Sequence, residues 1–136
     1  MNHHASCVAF GGAGLLLRGP SGSGKSDLAL RLIEAGAMLI ADDQVILRKD
    51  CEILLATCPP GIAGRIEVRG LGVLTLPYLT AAPLALICDL VAREDVPRMP
   101  EFSHAEIEGI ALPQVSLHAF DVSTVAKLRL KISACR

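Results

Sequence analysis

The chain has no tryptophan, one tyrosine and three phenylalanines. Proteins that hold single-stranded nucleic acid stack its bases on aromatic platforms, and this sequence has almost none to offer. It also lacks an excess of positive charge, since 13 Lys and Arg face 14 Asp and Glu for a net charge of −1. Binding a polyanion by counterion release leans on such an excess, so the balance disfavours nucleic acid as a partner. The cysteines are odd in number (Cys7, Cys51, Cys58, Cys88, Cys135) and form no CxxC pair. That pattern predicts reduced, buried thiols in a cytoplasmic protein, not a disulfide framework. His3, His4 and Cys7 sit close together, but no second ligand pair follows at zinc-finger spacing. The start MNHHASCVAF has neither the basic region nor the long apolar run of a secretion signal. One stretch free of charge, Gly70 to Cys88, reaches the length of a spanning helix. Pro77, Pro83, Gly70 and Gly72 interrupt it, so it is read as two buried strands around a short turn or helix, with no membrane association.

What is present describes one α/β domain over residues 1–136. With 136 residues, 51% of them hydrophobic, the chain can bury a core without staples. Val8 to Phe10 and Leu15 to Leu17 read as strands joined through Gly11, Gly12 and Gly14. Leu28, Leu30, Leu32 and Ile33, with Ala29 and Ala35, predict a short buried helix ended by Gly36, and Met38 to Ala41 the next strand. Together they form a compact βαβ-like unit. Further strands are expected at Val45 to Leu47, Ile53 to Ala56, Ile66 to Val68, Val73 to Leu76 and Leu84 to Leu90. Arg93 to Glu108, charged and broken by prolines, reads as a surface excursion. Val125, Leu128 and Ile132 mark a closing helix that Ser123 is placed to cap.

Between the second strand and the first helix stands Gly19-Pro20-Ser21-Gly22-Ser23-Gly24-Lys25-Ser26, a complete P-loop signature in its required strand-to-helix context. Glycines let successive N–H groups curl around one anion, and the helix N-terminus adds its positive end. Lys25 supplies a point charge to the outer phosphates, and the Ser26 hydroxyl is a magnesium ligand. Asp42 and Asp43 close the strand after the helix. In P-loop proteins an acid there holds the metal, and a second acid is free to take a proton. No NKxD, LSGGQ, HRD or DFG signature occurs. The two motifs therefore establish nucleotide chemistry and leave its acceptor open.

Four stretches resemble the bacterial HPr kinase/phosphorylase family: HASCVAF from His4, GPSGSGKSDLALRLIEAGAMLIADDQV from Gly19, AGRIEVRGLGVL from Ala63, and PRMPE from Pro97. The likeness is nearest to the short form that lacks an N-terminal domain. It implies an HPr kinase C-terminal-type domain related to the phosphoenolpyruvate carboxykinase nucleotide core. It also implies ATP- and Mg²⁺-dependent phosphorylation of a serine on the phosphocarrier HPr or a paralogue, with reverse phosphorolysis, in a cytoplasmic homo-oligomer. By motif, the family's histidine falls on His4 and its P-loop lysine and serine on Lys25 and Ser26. The proton-accepting aspartate falls on the Asp42-Asp43 pair, with Asp43 the first choice, and a further magnesium ligand falls on Glu67. A catalytic arginine falls on Arg98, while Arg65 and Arg69 also stand near the RGLG block. The segment tied to dephosphorylation, Leu117 to Ser123, has no Lys or Arg here. Two other functions use the same loop: a small-molecule kinase, and a regulator that senses nucleotide without catalysis.

Overall fold

Alternating apolar residues along the early strands place Val8, Leu15 and Leu17 on one face of a sheet and Cys7, Ala9 and Leu16 on the other. In the computed structural model, which describes residues 1–135, both faces are buried. The strands are β1 (Asn2–His3), β2 (Ser6–Phe10), β3 (Ala13–Arg18), β4 (Met38–Ala41), β5 (Val45–Asp50), β6 (Ile53–Thr57), β7 (Arg65–Val68), β8 (Gly72–Thr75), β9 (Ala81–Leu90), β10 (Ser103–Ile107) and β11 (Ile110–Leu117). Helix α1 (Lys25–Glu34) follows β3, and α2 (Thr124–Ala134) closes the described chain. Nine strands form one mixed sheet whose main order is β1-β5-β6-β9-β3-β2-β4, and β11 also pairs with β9 and carries β10. β7 and β8 make a separate two-stranded sheet.

The expected βαβ unit has a strand inside it. β3 and β4 are not neighbours: both pair antiparallel with β2, which lies between them. They therefore run parallel, with α1 crossing over β2. The helix ends as its sequence predicts. Gly36 takes φ 111, its N–H bonds to the Ile33 carbonyl, and the Ala37 N–H reaches back to that of Leu32. This is a Schellman stop that a glycine adopts without steric cost. Leu28, Ala29 and Leu32 face the sheet, joined by Leu128 and Ile132 of α2. Each such fully buried leucine stabilises the fold by about 1.5–3 kcal/mol.

Strand β9 is the hinge of the sheet. Its first residues pair antiparallel with β6, and from Leu84 it runs parallel to β3. At the change of partner the register slips, Gly14 facing Leu84 and Leu15 facing Leu86. The extra residue reverses which side chains face which way. Ala82 and Leu84 lie in the core away from the helices, whereas Leu86, Cys88 and Leu90 lie beneath them. Gly14 allows the slip, because a β-carbon there would stand 2.9 Å from the Pro83 carbonyl oxygen. At the far end Arg18 holds Asp89 through two bonds of 2.8 and 2.9 Å, and Gln114 of β11 donates to the same carboxylate at 2.8 Å. The last residue of β3, next to the P-loop sequence, is thus tied across three strands.

Several expectations need correction. Pro83 lies within β9 and does not break it. β8, expected to be buried, is mostly exposed. The surface excursion ends at Phe102, because Ser103 to Leu117 forms the hairpin β10-β11, and β11 extends the sheet beside β9. Ser123 occupies the N-cap of α2 but makes no side-chain cap bond; Thr124 Oγ1 instead donates to the His118 carbonyl at 2.6 Å. Among the described residues no helix is long and apolar enough to cross a membrane.

The cysteines are free but not uniformly buried: Cys7 and Cys88 are buried, Cys58 and Cys135 intermediate, and Cys51 exposed in the β5-β6 turn. Burial pushes the Cys7 and Cys88 thiols up to about 12. Since the thiolate is the reactive form, iodoacetamide at pH 8 should label Cys51 in the native protein and leave Cys7 and Cys88 unmodified until denaturant is added. Peptide mass spectrometry reads this directly, and native labelling of Cys7 would contradict the packing described.

Candidate functional site

The loop from Gly19 to Gly24 turns back on itself where β3 ends. The Ser23 N–H closes onto the Pro20 carbonyl at 3.0 Å. Gly19 leaves room for its neighbours: a β-carbon there would lie 2.5 Å from Ser23 Oγ and 3.2 Å from Leu90 Cβ, so a larger residue would have to displace the serine hydroxyl. At Gly24, the residue before α1, φ is 97 and a β-carbon would meet Ala119 and Phe120 at 2.8 Å. Leu28 N–H makes the first helical bond, to Gly24. The first-turn N–H groups before it have no partner within the helix, and they open on the same cleft with the positive end of the helix. Lys25, only 6% exposed, donates from Nζ to the Gly19 carbonyl at 2.6 Å and the Pro20 carbonyl at 3.1 Å.

Asp42 gathers the surrounding elements. It is 8% exposed, and its Oδ1 accepts from Ser26 Oγ at 2.7 Å and from Ser6 Oγ at 2.8 Å. Its Oδ2 accepts from the Glu67 N–H at 3.3 Å. A buried carboxylate is tolerable only with such donors. Asp43 departs from the strand: its φ is 68, and Gln44 N–H bonds to the Asp42 carbonyl at 2.8 Å across it. That tight reversal turns the second acid outward while the first stays inside. Asp43 Oδ1 lies 2.7 Å from His4 Nε2, with both side chains exposed. The Asp43 N–H donates to Ser6 Oγ at 3.2 Å, so Ser6 bridges the two acids.

The result is a cleft of about 370 Å³ lined by Ser21, Gly22, Gly24, Lys25 and Ser26, by His4, Asp43 and Glu67, and by Arg69 and Phe120. The structure thus brings together His4, Lys25, Ser26, Asp42, Asp43 and Glu67 from four separate segments. Pro20 and Ser23 shape the loop from behind. Among the described residues no three His, Cys, Asp or Glu side chains cluster as a metal site. Ser26, Asp42 and Glu67 nonetheless offer hard oxygen donors, and Mg²⁺ takes few protein ligands when phosphates and water complete its shell.

Arg98 does not join them. It lines a second cleft, of about 600 Å³, with Phe102, Lys127 and Lys131. Of the two arginines beside the RGLG block that sequence reasoning offers for phosphate charge, Arg69 lines the first cleft, while two residues in or behind that cleft, Ser6 and Phe120, are missed. Ser6 gives as its one signal a hydroxyl in an otherwise apolar strand. Phe120 gives no local signal, for it reaches the cleft only through the path of β11 and the loop after it.

A family model described as HPr Serine kinase C-terminal domain matches residues 1–82, which include His4, the loop, the acid pair and Glu67 but not Arg98 or Phe120. The HPr kinase/phosphorylase of Clostridium novyi (strain NT) is 42% identical over 76 residues, covering 56% of this chain and 25% of that protein. That of Burkholderia lata is 37% identical over 125 residues, covering 84% of this chain and 39% of that protein. The chain therefore spans between a quarter and two fifths of these curated relatives. The solved Hpr(Ser) kinase/phosphatase from Coxiella burnetii shares the fold, with a TM-score of 0.83 and 24% identity over 98% of this chain and 93% of that one.

The Asp42 carboxylate predicts a measurable stability cost. Asp42→Ala leaves two hydroxyls and one N–H without their acceptor, which should lower stability by about 2–3 kcal/mol. Urea denaturation of the two proteins checks this, and a difference below ~0.5 kcal/mol would mean that the three bonds do not hold the site together.

Proposed function

Because this chain belongs to the HPr serine kinase C-terminal domain family, we propose that it transfers the γ-phosphoryl group of ATP to a serine hydroxyl of the phosphocarrier HPr or a paralogue. The observation that carries this reading is the convergence of the acid pair with the glycine loop on one cleft. On this reading the loop and α1 form the P-loop of a nucleotide core like that of phosphoenolpyruvate carboxykinase, working in the cytoplasm, with HPr and further copies of the chain as its partners.

Each residue then has a task set by its position. Backbone N–H groups of Gly22, Gly24, Lys25 and Ser26 cradle the phosphates, while that of Ser23 closes the loop, and Lys25 exchanges its carbonyl partners for phosphate oxygens. Ser26 and Asp42, with Glu67, would hold Mg²⁺, which supplies neutralising charge to the phosphates. Asp43 takes the proton of the substrate serine as its oxygen attacks the γ-phosphorus and the bond to the β-phosphate oxygen breaks. His4, 2.7 Å from that carboxylate, orients it. We assign the remaining positive charge to Arg69, which lines the cleft, in place of Arg98, which lines another. In the reverse direction the protonated Asp43 returns its proton to the serine oxygen as phosphate removes the group.

The test is incubation with labelled ATP and purified HPr beside a panel of hydroxyl-bearing metabolites. A single phosphoserine on HPr by mass spectrometry is the expected product, and label on a metabolite alone would replace the protein acceptor with a small molecule. Asp43→Asn should lower transfer by about 10²–10⁴-fold while ATP still binds. Transfer at the original rate would remove Asp43 as the base.

A further inference from the structure

We infer that Phe120 is the base-binding wall of the cleft, its ring stacking on the nucleobase of the bound nucleoside triphosphate. The inference rests on the nucleotide reading above and extends it from the phosphates to the base. Phe120 is 55% exposed in a chain with only four aromatic rings of the Phe, Tyr and Trp kind. An exposed phenylalanine on a loose loop would carry no meaning, but this loop is fixed from four sides. His118 Nδ1 lies 2.9 Å from the Val91 carbonyl, and the His118 carbonyl accepts from Thr124 Oγ1. The Ala119 carbonyl accepts from the Arg31 guanidinium, and Asp121 pairs with Arg93 at 2.7 Å. The Phe120 ring leans edge-on against His118, with centroids 5.8 Å apart.

That fixed ring abuts the phosphate loop. A β-carbon on Gly24 would stand 2.8 Å from Phe120 Cζ, so the glycine that starts the helix also makes room for the ring. Phe120 lines the same cleft as Lys25 and Ser26, with Leu30 as a second apolar contributor. A ligand of phosphate alone gains nothing from these two side chains. A polyanion that carries a flat aromatic group uses both parts of the cleft, and every nucleobase has a face to stack. The wall therefore strengthens binding of nucleotides over inorganic polyphosphate without distinguishing strongly among bases.

The chain has no tryptophan and one tyrosine, so Phe120→Trp introduces a sole tryptophan at the proposed contact, whose emission is excited selectively at the long-wavelength edge where Tyr78 does not absorb. Magnesium ATP and GTP should quench it, and magnesium tripolyphosphate should not. By calorimetry, Phe120→Ala should bind ATP about tenfold more weakly and tripolyphosphate unchanged, with Phe120→Trp restoring ATP affinity. Phe102→Ala, exposed in the other cleft, should match the unaltered protein. ATP binding by Phe120→Ala at full affinity overturns the inference while leaving the phosphate site in place. A rise in the KM for HPr alone, with ATP binding intact, overturns it in favour of a protein-docking role. If the unaltered chain binds neither ATP nor tripolyphosphate, the nucleotide reading and this extension fall together.

Discussion

One almost buried carboxylate holds the site in place. Asp42 stands at the end of β4 and accepts from β2 through Ser6, from α1 through Ser26 and from β7 through the Glu67 backbone. Removing a carboxylate from water costs several kcal/mol unless donors replace the solvent, so these three bonds are a condition of the fold. They also fix the separation between the glycine loop and the strand carrying Glu67, two segments with no covalent reason to be close. The charge that would disfavour folding if left alone becomes the point from which the cleft is measured.

The neighbouring acid owes its position to backbone strain. Successive residues on a strand point to opposite faces, and a regular continuation would send Asp43 away from Asp42's side of the sheet. The positive φ at Asp43 and the bond from Gln44 N–H to the Asp42 carbonyl abolish that alternation. A non-glycine residue in this conformation costs of order 1–3 kcal/mol. The Asp43 N–H bond to Ser6 and the contact with His4 offset part of this. One acid is thereby desolvated and pinned, the other exposed on the wall of the cleft. Two identical side chains one residue apart acquire different chemistry from their surroundings alone.

Local signals in the sequence were enough for the loop, both helices and the early strands, because those depend on nearby residues. The Gly19-to-Ser26 spacing, the apolar face of Leu28, Ala29 and Leu32, and Gly36 at the stop each act within a few positions. What failed depends on pairing at long range. β2 lies between β3 and β4 because it pairs antiparallel with both; the glycine turn announces the first pairing, and no local pattern announces the second. Pro83 reads as a breaker, yet it fits in β9 where the strand changes partners. β10 and β11 are hard to see among charges and prolines because β11 becomes a strand by pairing with β9. Among site residues, His4, Lys25, Ser26, Asp42, Asp43 and Glu67 were legible through motifs, with their roles set by family resemblance. Arg98 was carried by the thinnest motif and lies elsewhere, whereas Ser6 and Phe120 acquire their positions only in three dimensions.

The charges around the cleft bear on what enters it. Its walls carry Asp27, Asp43 and Glu67 against Lys25 and Arg69, with Asp42 just behind. A site meant only to attract a polyanion would be built with the opposite balance, since like charges in a partly desolvated cleft repel strongly. The acids are useful if a divalent cation accompanies the phosphates, because the same carboxylates that repel the bare anion then face its counter-charge. Attraction is left to groups that titration does not alter, the loop N–H donors and the end of α1, together with Lys25. This division favours, under the proposed function, a metal-bound triphosphate over a free anion as the cleft's occupant.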